Sequence, residues 1–184
     1  MGVTIFTVGH GTRSFDEFLD LLRAADIERL VDVRTFPGSR RHPHFGKDAL
    51  AASLQRAGIA YEWMKDLGGF RKTTPDSHHV AIRNAGFRGY ADHMETEAFR
   101  ATRERLIDSA AETRTAVMCA ESVWWRCHRR MLSDSLTAAG CDVRHLMDGG
   151  KQDLHRLHPA ARLEGGVLVY DVLDQPQQSL LPEA

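Results

Sequence analysis

The densest run of reactive side chains in the chain is Cys119-Ala120-Glu121, followed closely by Cys127-His128-Arg129-Arg130. Two thiols, a carboxylate, an imidazole and two guanidinium groups suit three kinds of chemistry. In the first, Cys119 or Cys127 is a nucleophile, His128 or Glu121 moves protons, and arginines such as Arg129 hold an anionic substrate. In the second, Cys119 and Cys127 interconvert between dithiol and disulfide, which needs their Cα atoms within about 7 Å of each other. In the third, Cys119, Cys127 and His128 or His10 ligate a transition metal, although no C-x-x-C pair is present and adjacent Cys and His seldom both reach one ion.

If Cys127 opens a helix, the helix dipole and the nearby arginines favour its thiolate. The plainer account of either cysteine is a small buried hydrophobe, and His128 shares a helical stripe with Leu132. Cys141, beside Gly140, reads as structural. Trp124 and Trp125, between the two cysteines, suit stacking on a base or packing as a lid on the core.

A second group lies earlier, in Asp32-Val33-Arg34-Thr35-Phe36-Pro37-Gly38-Ser39-Arg40. Arg34 and Arg40 there are candidates for bidentate contacts to phosphate, with Asp32 and Ser39 in the same pocket. The alternative is a buried Asp32 paired with an arginine. His10 stands between Gly9 and Gly11, where free backbone access suits a ligand-facing turn or simply a tight one.

The elements that position these residues alternate between the two periodicities. Val3 to Val8 reads as a buried strand, and Ser14 and Glu17 have capping-box spacing ahead of the apolar stripe Phe15, Phe18, Leu19, Leu22 and Ala25. Leu30 to Arg34 reads as a second strand, Leu50, Leu54 and Ala57 as a helix, and Ala60 to Met64 as a third strand. Residues 68 to about 88 carry no period and read as a long loop. Tyr90 to Thr113 is helical with a break near Thr96, Ala116 to Cys119 is the fourth strand, and a helix with Leu132 and Leu136 follows Cys127. Asp142 to Met147 and Val167 to Val172 supply two further strands.

This alternation predicts a single three-layer α/β domain, with a mainly parallel sheet flanked by helices, over residues 1–173, and an exposed tail over 174–184. In open sheets of that kind ligands sit at the carboxyl ends of strands, here His10, Asp32 to Arg34, and Cys119 to Glu121. Three strand ends are therefore expected at one site.

Composition narrows the class. With 42% hydrophobic and 27% charged residues the chain has the make-up of an ordinary globular domain. A net charge of -1 excludes nucleic-acid binding by bulk positive charge, and leaves the local basic loop around Arg34 and Arg40 as the phosphate-facing segment. Three cysteines are too few for a disulfide scaffold and fit a reducing, cytoplasmic setting, and no run approaches a membrane-spanning length.

Several of these pieces together resemble the family catalogued as domain of unknown function 488. They are Val8-Gly9-His10, Asp32-Val33-Arg34 with Pro37 and Ser39-Arg40, Leu67-Gly68-Gly69, Tyr90-Ala91, and Met118-Cys119-Ala120-Glu121 with Cys127-His128-Arg129. The resemblance implies an α/β domain with a shared site at these positions, and no established reaction comes with it. Rhodanese-like sulfurtransferases and Cys-based phosphatases resemble the arrangement only loosely. The interval from Cys119 to Arg126 is one residue longer than a phosphatase loop, and Trp124-Trp125 replaces small residues.

The leading expectation is a thiol-dependent enzyme acting on a nucleotide or nucleic-acid-related anionic substrate, associated with DNA repair. Cys119, Glu121, Cys127 and His128 are its reactive residues, and His10, Asp32, Arg34, Ser39, Arg40 and Arg129 its binding residues. The alternatives are a non-catalytic metal or ligand-binding module, and a sulfur or phosphoryl transfer enzyme with a Cys nucleophile. In the tail, Gln177-Gln178-Ser179-Leu180-Leu181 is similar to the short peptide that docks on the bacterial sliding clamp, with Gln177, Ser179, Leu180 and Leu181 as its contacts.

Overall fold

The computed structural model describes residues 2–38 and 40–172. Ser39 and the clamp-like motif at Gln177, Ser179, Leu180 and Leu181 lie outside the described residues.

The amino-terminal half is built as expected from its caps and periods. Strand β1 (Thr4–Gly9) leads into helix α1 (Phe15–Ala24), which starts at Ser14 because that hydroxyl accepts from Glu17 N–H while the Glu17 carboxylate accepts from Ser14 N–H. Strand β2 (Arg29–Asp32), helix α2 (Lys47–Arg56) and strand β3 (Ala60–Trp63) follow.

The long loop after β3 ends at Asn84, whose side chain caps helix α3 (Ala85–Met94). Thr96 caps helix α4 (Glu97–Glu112), so the break expected near Thr96 is a second helix start. Strand β4 (Thr115–Cys119), helix α5 (Arg129–Ala138) and strand β5 (Asp142–Leu146) complete the expected elements. Three short strands close the described chain: β6 (Gln152–Leu154), β7 (Ala161–Glu164) and β8 (Val167–Tyr170).

Six strands form one sheet in the order β3-β2-β4-β1-β5-β6, parallel except for β6. The strand expected at Val167 to Val172 pairs instead with β7 in a separate antiparallel hairpin. Its four residues are joined to β7 through Gly165 and Gly166, both at positive φ, and such a tight turn outcompetes pairing with a distant sheet edge.

The two faces of the sheet sort by the period of 2. Phe6, Val8, Leu30, Ala116 and Met118 point one way, onto Phe18 and Leu22 of α1 and Leu50 and Leu54 of α2. Ile5, Val31, Val117, Cys119 and Val143 point the other way, onto Phe99 and Leu106 of α4 and Leu132 and Leu136 of α5. These side chains are almost fully buried, and each contributes roughly 1.5–3 kcal/mol of transfer free energy. The result is the predicted three-layer α/β arrangement. No helix among the described residues is long and apolar enough to cross a membrane.

Candidate functional site

The carboxyl ends of β2, β4 and β1 are neighbours in the sheet, with Gly9 beside Cys119 and Asp32 beside Met118. Gly9 is required by a crossing of backbones. A Cβ there would sit 1.8 Å from the Glu121 carbonyl oxygen, because the turn after β4 folds back over β1 and ties down His10 N–H and Gly11 N–H through the carbonyls of Cys119 and Ala120. The glycines around His10 thus serve a chain-on-chain approach.

Two side-chain groups stand on opposite faces of this sheet end. On the face of Met118, Asp32 is fully buried. Its carboxylate accepts from Arg34 Nε at 2.9 Å and Nη2 at 2.6 Å, from Arg34 N–H at 3.0 Å, and from the Tyr61 hydroxyl at 2.7 Å. Arg34 is therefore spent largely on Asp32, the arrangement weighed against phosphate binding, and its Nη1 lies 3.4 Å from His10 Nε2. His10 stacks on Phe45 with centroids 4.2 Å apart, and burial lowers its pKa to about 4, so it is neutral at pH 7. Arg40 is exposed on the following loop, away from the residues that line the cavity described below.

On the other face the two cysteines meet. Cys119 closes β4, Cys127 stands ahead of α5, and their sulfurs lie 3.1 Å apart as free thiols. Arg129, only 1% exposed, donates from Nε to Cys119 Sγ at 3.0 Å and to Cys127 Sγ at 3.4 Å. Its Nη1 donates to Thr7 Oγ1 at 3.2 Å, and its Nη2 donates to the carbonyls of Glu121 and Ser122. No carboxylate touches this guanidinium among the described residues, so the nearest available negative charge is a thiolate.

The two thiols divide that role by their surroundings. The hydrogen bond from Cys119, and then the Arg129 charge and backbone N–H, pull the Cys127 pKa down to about 6 against the cost of burial. Cys119 is pushed up, first by burial and then by its bond to Cys127. These opposite directions favour the thiolate on Cys127 and the proton on Cys119.

His128 is partly buried and donates from Nε2 to the Val33 carbonyl at 3.0 Å, while loss of solvent around the ring lowers its pKa to about 4. Its Nδ1 faces Gly69, where a Cβ would come within 3.0 Å. The Glu121 carboxylate accepts from Val123 N–H at 3.1 Å and braces the loop between the cysteines. Within that loop Trp124 stacks flat on His145, 3.9 Å between centroids, which is the lid-packing role.

Cys119, Cys127, His128 and Arg34 share a cavity of about 420 Å³, which Glu121 also lines. Tyr90, one of the pieces of the family resemblance, lines it too, whereas sequence reasoning missed Phe36, Phe70, Phe87, Asn84 and Arg126 as parts of its wall. Phe36 and Phe70 are 72% and 88% exposed, with ring centroids 6.2 Å apart at the mouth, and Phe70 holds a positive φ of 56°. Phe70 directly after Gly68-Gly69, and Phe36 directly before Pro37-Gly38, are aromatics set in loop segments, a signal that could have found them.

The metal candidates Cys119, Cys127, His128 and His10 do not converge as a ligand set among the described residues. Among the described residues, the one group of that kind is His78, His79 and Glu95, at the far end of α3. There Tyr170 N–H donates to His79 Nδ1 at 3.3 Å, which leaves the ring proton on Nε2, 2.9 Å from Glu95 Oε1. The cluster as it stands is acid paired with imidazole.

Fold and site define an α/β protein with an arginine-held cysteine pair at the carboxyl end of its parallel sheet. The family model Domain of unknown function DUF488 matches residues 14–136, and the chain belongs to that family. No curated protein and no solved structure matches the chain.

Proposed function

We propose that the chain is a thiol-dependent enzyme in which Cys127 is the nucleophile and the substrate is a nucleotide-like anion. The observation that carries the reading is the buried Arg129, whose only charge partner in contact among the described residues is sulfur. The Cys127 thiolate supplies the electron pair to an electrophilic centre in the cavity, and Cys119 S–H, already bonded to it, is the nearest proton for the departing group. The aromatic rim of Phe36 and Phe70 suits a planar base, and Arg126, exposed and without an ion pair among the described residues, suits its phosphate. Three free thiols agree with a reducing, cytoplasmic setting, and the clamp-like tail would bring the protein to DNA under replication or repair.

The test is iodoacetamide labelling between pH 5 and 10, mapped by mass spectrometry, with and without mononucleotides and short single-stranded oligonucleotides. Cys127 should label first, with a midpoint near 6, and a bound ligand should slow it. Two thiols that both titrate near the ordinary value of 9.0, or labelling indifferent to every ligand, would overturn the reading.

A second reading, a dithiol that opens and closes as a disulfide, is favoured by the 3.1 Å approach of the sulfurs. Counting free thiols after equilibration in glutathione buffers of graded potential separates the two. A nucleophile stays reduced across cytosolic potentials, whereas a cycling pair titrates within them.

A further inference from the structure

Behind Arg129 runs a line of buried polar groups that no step above uses. The Thr7 hydroxyl, which accepts from Arg129 Nη1, lies 2.7 Å from His145 Nδ1. His145 Nε2 lies 3.0 Å from His155 Nδ1, and His155 Nε2 lies 2.9 Å from Asp134 Oδ1. Asp134 also accepts from the Tyr170 hydroxyl at 2.8 Å and from His158 N–H at 2.9 Å. Thr7, His145 and Asp134 are fully buried, and His155 nearly so.

The acid end sets the direction of the line. Asp134 as a carboxylate only accepts, so with one proton on each imidazole the protons point from Thr7 toward Asp134. With Thr7 O–H donating to His145 Nδ1, the His145 proton sits on Nε2 and donates to His155 Nδ1, whose own proton sits on Nε2 and donates to Asp134. The reverse direction would need His155 to carry two ring protons. Burial and the charge of Arg129 both oppose a cationic ring at His145.

We infer that Asp134, His155, His145 and Thr7 are positioning residues that hold the Arg129 guanidinium on the two sulfurs. The inference rests on the thiolate reading of Cys127. Arg129 and Asp134 both belong to α5, but they are five residues apart and face different partners, so the helix alone cannot pair them. The line leaves the helix, crosses β1 and β5 at the paired residues Thr7 and His145, and returns. Hydrogen bonds aligned head to tail in a dry interior reinforce one another, and loss of one link leaves its neighbours buried without a partner.

Two measurements on the full chain test this. Nitrogen-15 spectra of the histidine rings at pH 7 should show His145 and His155 each neutral, with the proton on Nε2. A proton on His145 Nδ1, or an imidazolium at His155, would overturn the line. Thr7→Val keeps the shape but removes the hydroxyl, and Thr7→Ser keeps it. The midpoint for Cys127 alkylation should rise by at least about half a pH unit in Thr7→Val, a threefold loss of thiolate below the midpoint, and return to the starting value in Thr7→Ser. If Thr7→Val does not fold, His145→Asn or His145→Gln carries the same comparison. A low midpoint that ignores all these variants would reduce the line to architecture while leaving the thiolate in place. A midpoint near 9 in the unaltered protein would overturn the thiolate and the positioning role together.

Discussion

Cys119 Sγ and Cys127 Sγ approach to 3.1 Å although seven residues, two of them tryptophans, separate them in the chain. Arg129 Nε faces both, so one buried cation serves two sulfurs, and one negative charge satisfies all three groups. On the proposed thiolate reading, proton sharing between the two sulfurs, rather than either cysteine alone, sets the reactivity.

Replacing Arg129 should therefore change chemistry and stability together. In Arg129→Met the side-chain volume is kept and the charge removed, and the Cys127 alkylation midpoint should climb from about 6 toward 9. The carbonyls of Glu121 and Ser122 and the Thr7 hydroxyl also lose their donor, a loss of about 1–3 kcal/mol for each buried group left unmatched. Labelling with urea unfolding on one sample reads both effects. A midpoint that stays near 6 would remove Arg129 from the account.

Stability should depend on pH in a way that names its groups. The Cys127 pKa is lower folded than unfolded, so its contribution is whole above pH 9, declines as pH falls through the interval from 9 to 6, and is gone below 6. His10 and His128 are held neutral by burial, with folded values near 4 against 6.5, so protonation of the unfolded chain removes stability as pH falls from 6.5 toward 4. Between pH 6.5 and 9 the melting temperature should rise with pH in the unaltered protein and stay flat in Cys127→Ser. Parallel curves would show that no thiolate is stabilised.

Arg34→Ala should unfold the protein more than it weakens any ligand. The change strands the Asp32 carboxylate in the interior with Tyr61 O–H and a backbone N–H, and breaking a buried pair in this way costs about 3–5 kcal/mol. Equilibrium unfolding in urea measures it, and a loss under about 1 kcal/mol would show that the pair is not structural.

The mouth of the cavity separates base from phosphate. Phe70→Ala should leave the melting temperature unchanged, since the ring is 88% exposed, but weaken mononucleotide binding by about 1–3 kcal/mol and leave pyrophosphate binding as it was. Arg126→Ala should weaken both ligands by about 1.5–3 kcal/mol. Calorimetric titration of the two variants with the two ligands decides, and equal loss of both ligands in Phe70→Ala would remove the stacking role.

A synthetic peptide of residues 174–184 should bind purified bacterial sliding clamp in the micromolar range, about -8 kcal/mol, and lose that binding when Leu180 and Leu181 become Ala. Calorimetry with no heat of binding would end the partner assignment.

The sequence alone determined whatever is local. The Ser14 to Glu17 cap, the Thr96 restart and the alternation of periods mark the elements, because capping and amphipathicity act over a few residues. The same alternation predicts the parallel sheet, and with it the convergence of His10, Arg34 and Cys119 at neighbouring strand ends. The chemical types in Cys119 to Arg129 were visible for the same reason. Tertiary structure decided which face each side chain joins, since a one-residue step along a strand reverses its direction. Asp32 and Cys119 therefore end on opposite sides of one sheet. It also decided that Arg34 is spent on Asp32, that Gly9 beside His10 admits the Glu121 backbone, and that His145, His155 and Asp134 stand in line behind Arg129. Those contacts join residues as much as 138 positions apart, and no local spacing carries them.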